Sequence, residues 1–175
     1  KDQLEIRGKD IDTLAKLFKA SGFVSYVSAM HLQNLCNQAN VRFHKMTRQQ
    51  LQLEVYESRP AEYDFQVRDL LNEGRTRAVK TLSGGQKFQV ALALALALAD
   101  HIHTQTQSTH NFFFLDEGFG SLDKDALTEV FETLKSLRKE NRIVGVISHV
   151  EELQQEIDRF IRVRNDEITG SVIEI

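Results

Sequence analysis

Apolar residues recur along this chain with two periods, and the change from one to the other outlines its elements. Leu14, Leu17 and Phe18 share one side of a helix predicted over 10–20, with Asp10 or Asp12 near its N-terminus and Gly22 breaking it. Val24, Val27, Leu35, Ala39, Phe43 and Met46 recur near helical spacing and predict a longer amphipathic helix to about residue 46. Leu51, Leu53 and Val55 then alternate with polar residues, which predicts a strand over 51–57 ended by the only proline, Pro60. Phe65 and Val67 alternate likewise, and Asn72-Glu73-Gly74 reads as a turn. Residues 86–103 are rich in Leu and Ala and apolar nearly all round, so they predict a helix buried on most sides. A polar loop follows at 104–111. The runs 112–115 and 143–147 are continuously apolar, as expected of strands buried on both faces, and 123–141 between them is an amphipathic helix. A helix at 151–157, a strand at 159–164, a turn at 165–166 and a last strand near 170–175 complete the reading. Strand-helix-strand-helix-strand from 112 to 164 predicts an α/β fold with parallel central strands.

Composition narrows the class. In 175 residues 41% are apolar, enough for a core of ordinary domain size, and the net charge of -3 excludes a uniformly basic nucleic-acid binder. One cysteine, Cys36, excludes a disulfide framework and a multi-cysteine zinc site, and it reads as packed and inert. The apolar run 90–99 is too short to span a bilayer, and no signal peptide opens the chain, so a cytoplasmic protein with no membrane partner is expected. The chain begins at Lys1 without Met, which fits a piece of something longer. Charge is uneven: residues 1–100 carry +3 and residues 101–175 carry -6. Arg75, Arg77, Lys80 and Lys87 fall in a stretch, 75–99, that has no acid, and are candidate contacts to DNA or nucleotide phosphate against the simpler reading of solvated surface.

Three short stretches carry the chemistry. Leu82-Ser83-Gly84-Gly85-Gln86 precedes the Leu/Ala helix, where glycines let backbone N–H groups approach an anion and the helix dipole favours it. The alternative is a glycine turn that merely caps a core helix. Phe112-Phe113-Phe114-Leu115-Asp116-Glu117 sets two carboxylates at the C-terminal edge of a strand, where α/β ligand sites lie. Asp116 there suits Mg²⁺, and Glu117 suits a water-orienting base in phosphoryl transfer. His149 follows the next apolar strand and falls at the same edge if the two strands are neighbours. His101 and His103 are two apart and do not share a helix face; His110 lies in the polar loop.

Taken in order, LSGGQ at 82–86, FFFLDE at 112–117, Ser121-Leu122-Asp123 and His149 resemble the signature motif, Walker B motif, D-loop and switch histidine of ABC-type ATPases. Within that superfamily, LSGGQKFQVALALALALA, FFFLDEGFGSLD and VGVISHVEEL resemble the SbcC-type ATPases that act with an SbcD-type nuclease subunit, and YVSAMHLQNLCNQAN and HKMTRQQLQL resemble the segment that leaves the coiled coil of such proteins. The resemblance implies the C-terminal half of an ABC-type ATPase head with a mainly parallel sheet. Residues 1–50 would then be the helical coiled-coil base, and 51–175 the ATPase lobe.

The implied roles are Glu117 and His149 in catalysis and Asp116 on Mg²⁺. Leu82, Ser83, Gly84, Gly85 and Gln86 would act on ATP held by a second head, and Ser121, Leu122 and Asp123 in contacts across the head dimer. No G-x-x-x-x-G-K-[ST] occurs in these residues, so the P-loop is expected in an N-terminal half, and this chain alone is expected not to hydrolyse ATP. Implied partners are that N-terminal half, a second head, the nuclease subunit near an exposed Phe18 or Phe23 patch, and DNA. Two relatives of the same chemistry compete. A chromosome-organising SMC head shares signature and Walker B motifs, whereas a transporter nucleotide domain is disfavoured by Gly118 where Pro is usual and by the step of 30 positions from Gln86 to Asp116. Gln86 departs from the Glu frequent in SbcC-type proteins. A non-catalytic interaction module would be expected to lack one of Asp116, Glu117 or His149, and all three are present.

Overall fold

A computed structural model describes residues 2–18, 22–60, 62–106, 112–139, 142–150, 153, 157, 159–166 and 170–174. Two helices, α1 (Asp2–Phe18) and α2 (Gly22–Met46), come first. α1 begins eight residues before the predicted start, and Gly22 opens α2 rather than ending α1. α2 turns its second half inward: Cys36, Ala39, Phe43 and Met46 are buried, whereas Phe23, Val24, Tyr26 and Met30 in its first half are exposed.

Three antiparallel strands follow, β1 (Leu51–Arg59), β2 (Glu62–Asp69) and β3 (Arg75–Ala78), in the order β1-β2-β3. Leu51 and Leu53 of β1 and Val67 of β2 point to the core. The free side of β1 is closed by α2: Asn40 donates to the Leu53 carbonyl and accepts from its N–H, both at 2.8 Å. A buried amide thus stands in for a neighbouring strand. The predicted turn at 72–74 is present, with Glu73 and Gly74 both at positive φ and the Arg75 N–H donating to the Asn72 carbonyl. β3 itself was not predicted, because its four residues carry no apolar alternation.

After a 3₁₀ turn at Val79–Thr81, α3 runs from Gly84 to Thr106. Gln89, Val90, Leu92, Ala93, Leu96 and Ala97 are buried, but Ala91, Ala95 and Leu98 form an exposed stripe, so the helix is less enclosed than its composition predicts. β4 (Phe112–Asp116), α4 (Lys124–Lys139) and β5 (Ile143–Ile147) then form a parallel strand pair with its crossover helix. The prediction that these strands are buried on both faces is corrected. Phe113, Leu115, Val144 and Val146 pack on the core, while Phe112, Phe114, Ile143 and Ile147 are 56–70% exposed. Within the described residues the core lies on one face of this pair only. The predicted strand 159–164 is β6 (Arg162–Asp166), which pairs antiparallel with β7 (Gly170–Glu174) rather than extending the parallel pair. Of the helix predicted at 151–157 only Leu153, helical and buried, and Ile157 are described, and most of the loop predicted at 104–111, including His110, lies outside the described residues; 104–106 belong to α3.

Phe43, Met46, Leu53, Val67, Leu96, Phe119, Val130 and Leu137 are the fully enclosed centre, drawn from α2, α3 and α4, the antiparallel sheet and the loop after β4. Asp100 of α3 ties this assembly at its far end, pairing with Arg42 of α2 and with Arg142 just before β5.

Candidate nucleotide-hydrolysing site

The LSGGQ turn is a helix cap in fine detail. Ser83 precedes α3, and its Oγ accepts from the Gln86 N–H at 3.2 Å while the Gln86 side chain accepts from the Ser83 N–H at 3.4 Å. This reciprocal capping box satisfies two N–H groups that a helix start leaves open. Leu82 is buried and anchors the turn; Ser83 and Gly84 are exposed. The reading of the glycine turn as the cap of a core helix is observed, and the turn leaves the N-terminus of a 23-residue helix exposed to solvent.

β4 delivers Asp116 to the C-terminal edge of the parallel pair, directly opposite Ile147 of β5. Glu117 then leaves the strand with φ of 59°, a left-handed conformation, and its N–H donates to the Ile147 carbonyl at 2.9 Å. The turn aims its carboxylate at His149: Oε2 and Nδ1 are 2.8 Å apart, and both side chains are half or more exposed. The expectation that His149 falls beside the two carboxylates rests on the β4–β5 pairing, and the register supplies it. Asp116, Glu117 and His149 thus share one open edge. Among the described residues no three His, Cys, Asp or Glu side chains converge as a metal cage. One exposed carboxylate, Asp116, is the donor that fits Mg²⁺, an ion commonly held by one or two carboxylates together with substrate phosphates and water.

Gly118 (φ 98°) continues the turn, and a 3₁₀ segment at Phe119–Ser121 leads to α4. Ser121 Oγ donates to the Gly118 carbonyl at 3.2 Å. Asp123 is the N-cap of α4, its Oδ1 accepting from the Ala126 N–H at 2.8 Å. Leu122 is half-buried and packs on the core. A groove of about 540 Å³ joins the two motifs, with Ser83, Gly85 and Gln86 on one wall and Ser121, Asp123 and Asp125 on the other. Arg48, just past α2, also lines it and binds Glu129 at 3.0 Å and Asp125 at 3.3 Å. No motif in the sequence marks Arg48.

The basic cluster does not act as one patch. Arg77 reaches Asp69 at 3.5 Å and Arg75 reaches Glu73 at 3.6 Å, both on β3 or its approach. Hydrogen bonds from Asn72, from the Asn72 and Leu71 amides, and the nearby Arg77 charge hold the Asp69 carboxyl below its usual range. Lys80 lies in the 3₁₀ turn and Lys87 on the first turn of α3, both exposed.

Comparison with known proteins shows the family. Residues 47–136 match the family described as SbcC/RAD50-like, Walker B motif. The SbcC component of the nuclease SbcCD is 39% identical over 91% of this chain in Bacillus subtilis and 37% identical over 89% in Clostridium acetobutylicum. The chain spans about 14% of the length of the first of these relatives and 13% of the second. A solved structure titled for the ATP-driven dimerization and DNA-stimulated activation of SMC ATPases superposes with a TM-score of 0.67 at 18% identity, over 86% of this chain and 88% of that one, which is a likeness of fold. The chain belongs to the SbcC/RAD50-like family and carries the part that bears its Walker B motif.

Proposed function

We propose that this chain is the C-terminal lobe of an SbcC-type ATPase head, which hydrolyses ATP to drive head docking and so gates a nuclease subunit on broken DNA. The observation that carries the reading is the 2.8 Å approach of His149 Nδ1 to Glu117 Oε2 at the edge where Asp116 ends β4. In phosphoryl transfer the protein contributes mainly positioning and charge stabilisation. Glu117 would orient the attacking water and take its proton, as the water oxygen bonds to the γ-phosphorus and the bond to the β-phosphate oxygen breaks. His149 would fix the Glu117 carboxylate and contact the γ-phosphate. Mg²⁺, when bound, supplies charge neutralisation on the phosphate oxygens, and Asp116 is the residue here that would hold it.

The P-loop would come from another part of the same protein. The exposed apolar face formed by Phe112, Phe114, Ile143 and Ile147 supports such a lobe seated against β4 and β5. Ser83 and Gly85 would close over ATP bound by a second head, with Asp123 at the dimer contact. Lys80 and Lys87 are better placed than the acid-paired Arg75 and Arg77 to meet DNA or nucleotide phosphate. The exposed Phe23 on α2 supports docking of an SbcD-type nuclease subunit near the coiled-coil base, and the Phe18 side chain lies outside the described residues. No described helix is long and apolar enough to cross a membrane, and the reading is of a cytoplasmic protein. An SMC-type chromosome-organising role draws on likeness of fold alone.

The test is ATP-driven dimerisation. The chain, as Glu117→Gln to block hydrolysis, is assembled with a separately produced P-loop lobe and its mass measured by light scattering. ATP is expected to double the mass of the assembled head, and Ser83→Arg to prevent the doubling. A mass unchanged by ATP, although the two lobes associate, would refute the trans role of the signature.

A further inference from the structure

Neither glycine of the signature pair adopts a left-handed φ; among the described glycines only Gly74, Gly118 and Gly170 do. Backbone conformation therefore gives no reason for glycine at 84 or 85, and the start of a helix ordinarily favours a side chain there. Close approach gives the reason. A Cβ on Gly84 would stand 3.1 Å from Ser121 Cβ, and one on Gly85 would stand 3.1 Å from the Ser121 carbonyl oxygen and 3.3 Å from Leu122 Cδ2. One turn further along α3, the Phe88 ring packs against Phe119 with centroids 5.1 Å apart, and it fills the space where a Cβ on Gly118 would fall, at 2.4 Å. The first turn of α3 and the loop 118–122 are thus interlocked at three successive points. The same loop begins at Glu117, whose N–H is fixed to Ile147.

We propose that Ser121 is a positioning residue for the signature turn: its approach crowds any side chain at position 84, and through that contact the D-loop sets where Ser83 stands. The inference rests on the functional reading above for its catalytic consequence, but its geometric part stands on the interlock alone. Signature turn, D-loop and Glu117 then move as one block, so a nucleotide that pulls on Ser83 also displaces the loop carrying the water-orienting carboxylate. The two glycines differ in a way that can be tested. The atoms facing position 84 belong to a side chain and can be removed, whereas position 85 also faces a backbone oxygen that no substitution removes.

The experiment uses the full-length protein carrying the P-loop lobe, with Ser121→Gly as baseline because that change also removes the Ser121–Gly118 hydrogen bond. Gly84→Ala is expected to lower ATP hydrolysis about tenfold or more, since small misplacements of catalytic groups have effects of this size. Gly84→Ala/Ser121→Gly is expected to return to within about threefold of the baseline, as a relieved clash between neighbours should. Gly85→Ala/Ser121→Gly is expected to stay low. Hydrogen exchange without nucleotide gives a second readout: Gly84→Ala should speed exchange at the Glu117 and Leu122 amides, and adding Ser121→Gly should return them to baseline. A harmless Gly84→Ala, or a double variant no better than Gly84→Ala in either readout, overturns the proposal. If Glu117→Gln hydrolyses ATP as fast as the unchanged protein, the functional reading fails instead, and the exchange result alone decides the interlock.

Discussion

Glu117 reaches His149 because its own backbone leaves the strand in a left-handed turn, a conformation that disfavours a side chain by about 1–2 kcal/mol. The same cost appears where function gives it no evident return. Arg48 and Gln49 end α2 with φ of 51° and 61°, and the Gln49 N–H donates to the His44 carbonyl in closing the helix. Glycine suits that position. Gln49→Gly is therefore expected to raise stability by about 0.5–1 kcal/mol, read as a higher urea midpoint with an unchanged slope. Cys36 is the second residue-scale case. It is fully buried and donates to the Leu53 carbonyl, and burial, with the Glu54 charge adding to it, pushes its thiol up to about 11. At pH 8 it should resist iodoacetamide in the folded chain and react readily in urea; equal rates would contradict the packing of α2 on β1.

Between elements, the contacts of most consequence are polar groups that finish what a strand or helix leaves open. Asn40 serves both backbone groups of Leu53, and the buried Gln89 side chain donates to the Met46 carbonyl at the end of α2. Asn40→Ala strands a buried N–H and should cost about 2 kcal/mol in urea unfolding, well beyond an ordinary surface substitution. On the opposite side of β1, Arg68 donates to Glu54 at 2.6 Å, and this hydrogen bond, followed by one from Gln66 and the Arg68 charge, holds the Glu54 carboxyl below its usual range against the opposing effect of burial. A carboxyl lowered in the folded state contributes stability that is complete above its unfolded value and is lost as pH falls through the folded one. Glu54→Gln should therefore flatten the fall in thermal stability between about pH 6 and about pH 3. An unchanged profile would mean that the pair contributes nothing.

Elements were legible in the sequence where one period ran long enough. The spacing of Phe43 and Met46, the alternation of Leu51 and Leu53, and the Leu/Ala run each correspond to an observed helix or strand. β3 was hidden because Arg75-Thr76-Arg77-Ala78 has no apolar face to alternate, and it is held by backbone pairing to β2. The residues of the edge were legible as a set of motifs, but the Glu117–His149 contact depends on strand register, and Ser121 under Gly84 depends on a tertiary approach. Neither is encoded in local spacing.

At the scale of the molecule, apolar runs reveal that a surface is to be covered and not what covers it. Phe112 and Phe114 stack on the exposed side of β4 with ring centroids 6.4 Å apart, and Ile161, Val163 and Ile173 are exposed around the β6–β7 hairpin. A surface of this kind on one lobe is expected to favour association. Phe114→Ser should leave the chain folded yet weaken its binding to the P-loop lobe about tenfold or more, as removal of a central aromatic anchor does. Titration calorimetry of the two lobes measures this directly.

The central claim is that Asp116, Glu117 and His149 form half of a hydrolytic site completed by a P-loop from elsewhere in the protein. ATP hydrolysis by the chain alone, by the P-loop lobe alone, by their mixture, and by the mixture carrying Glu117→Gln tests it most directly. Activity in the mixture only, lost with Glu117→Gln, is the predicted result. A mixture that has assembled and remains inactive, or one that Glu117→Gln leaves as active as before, would contradict the account.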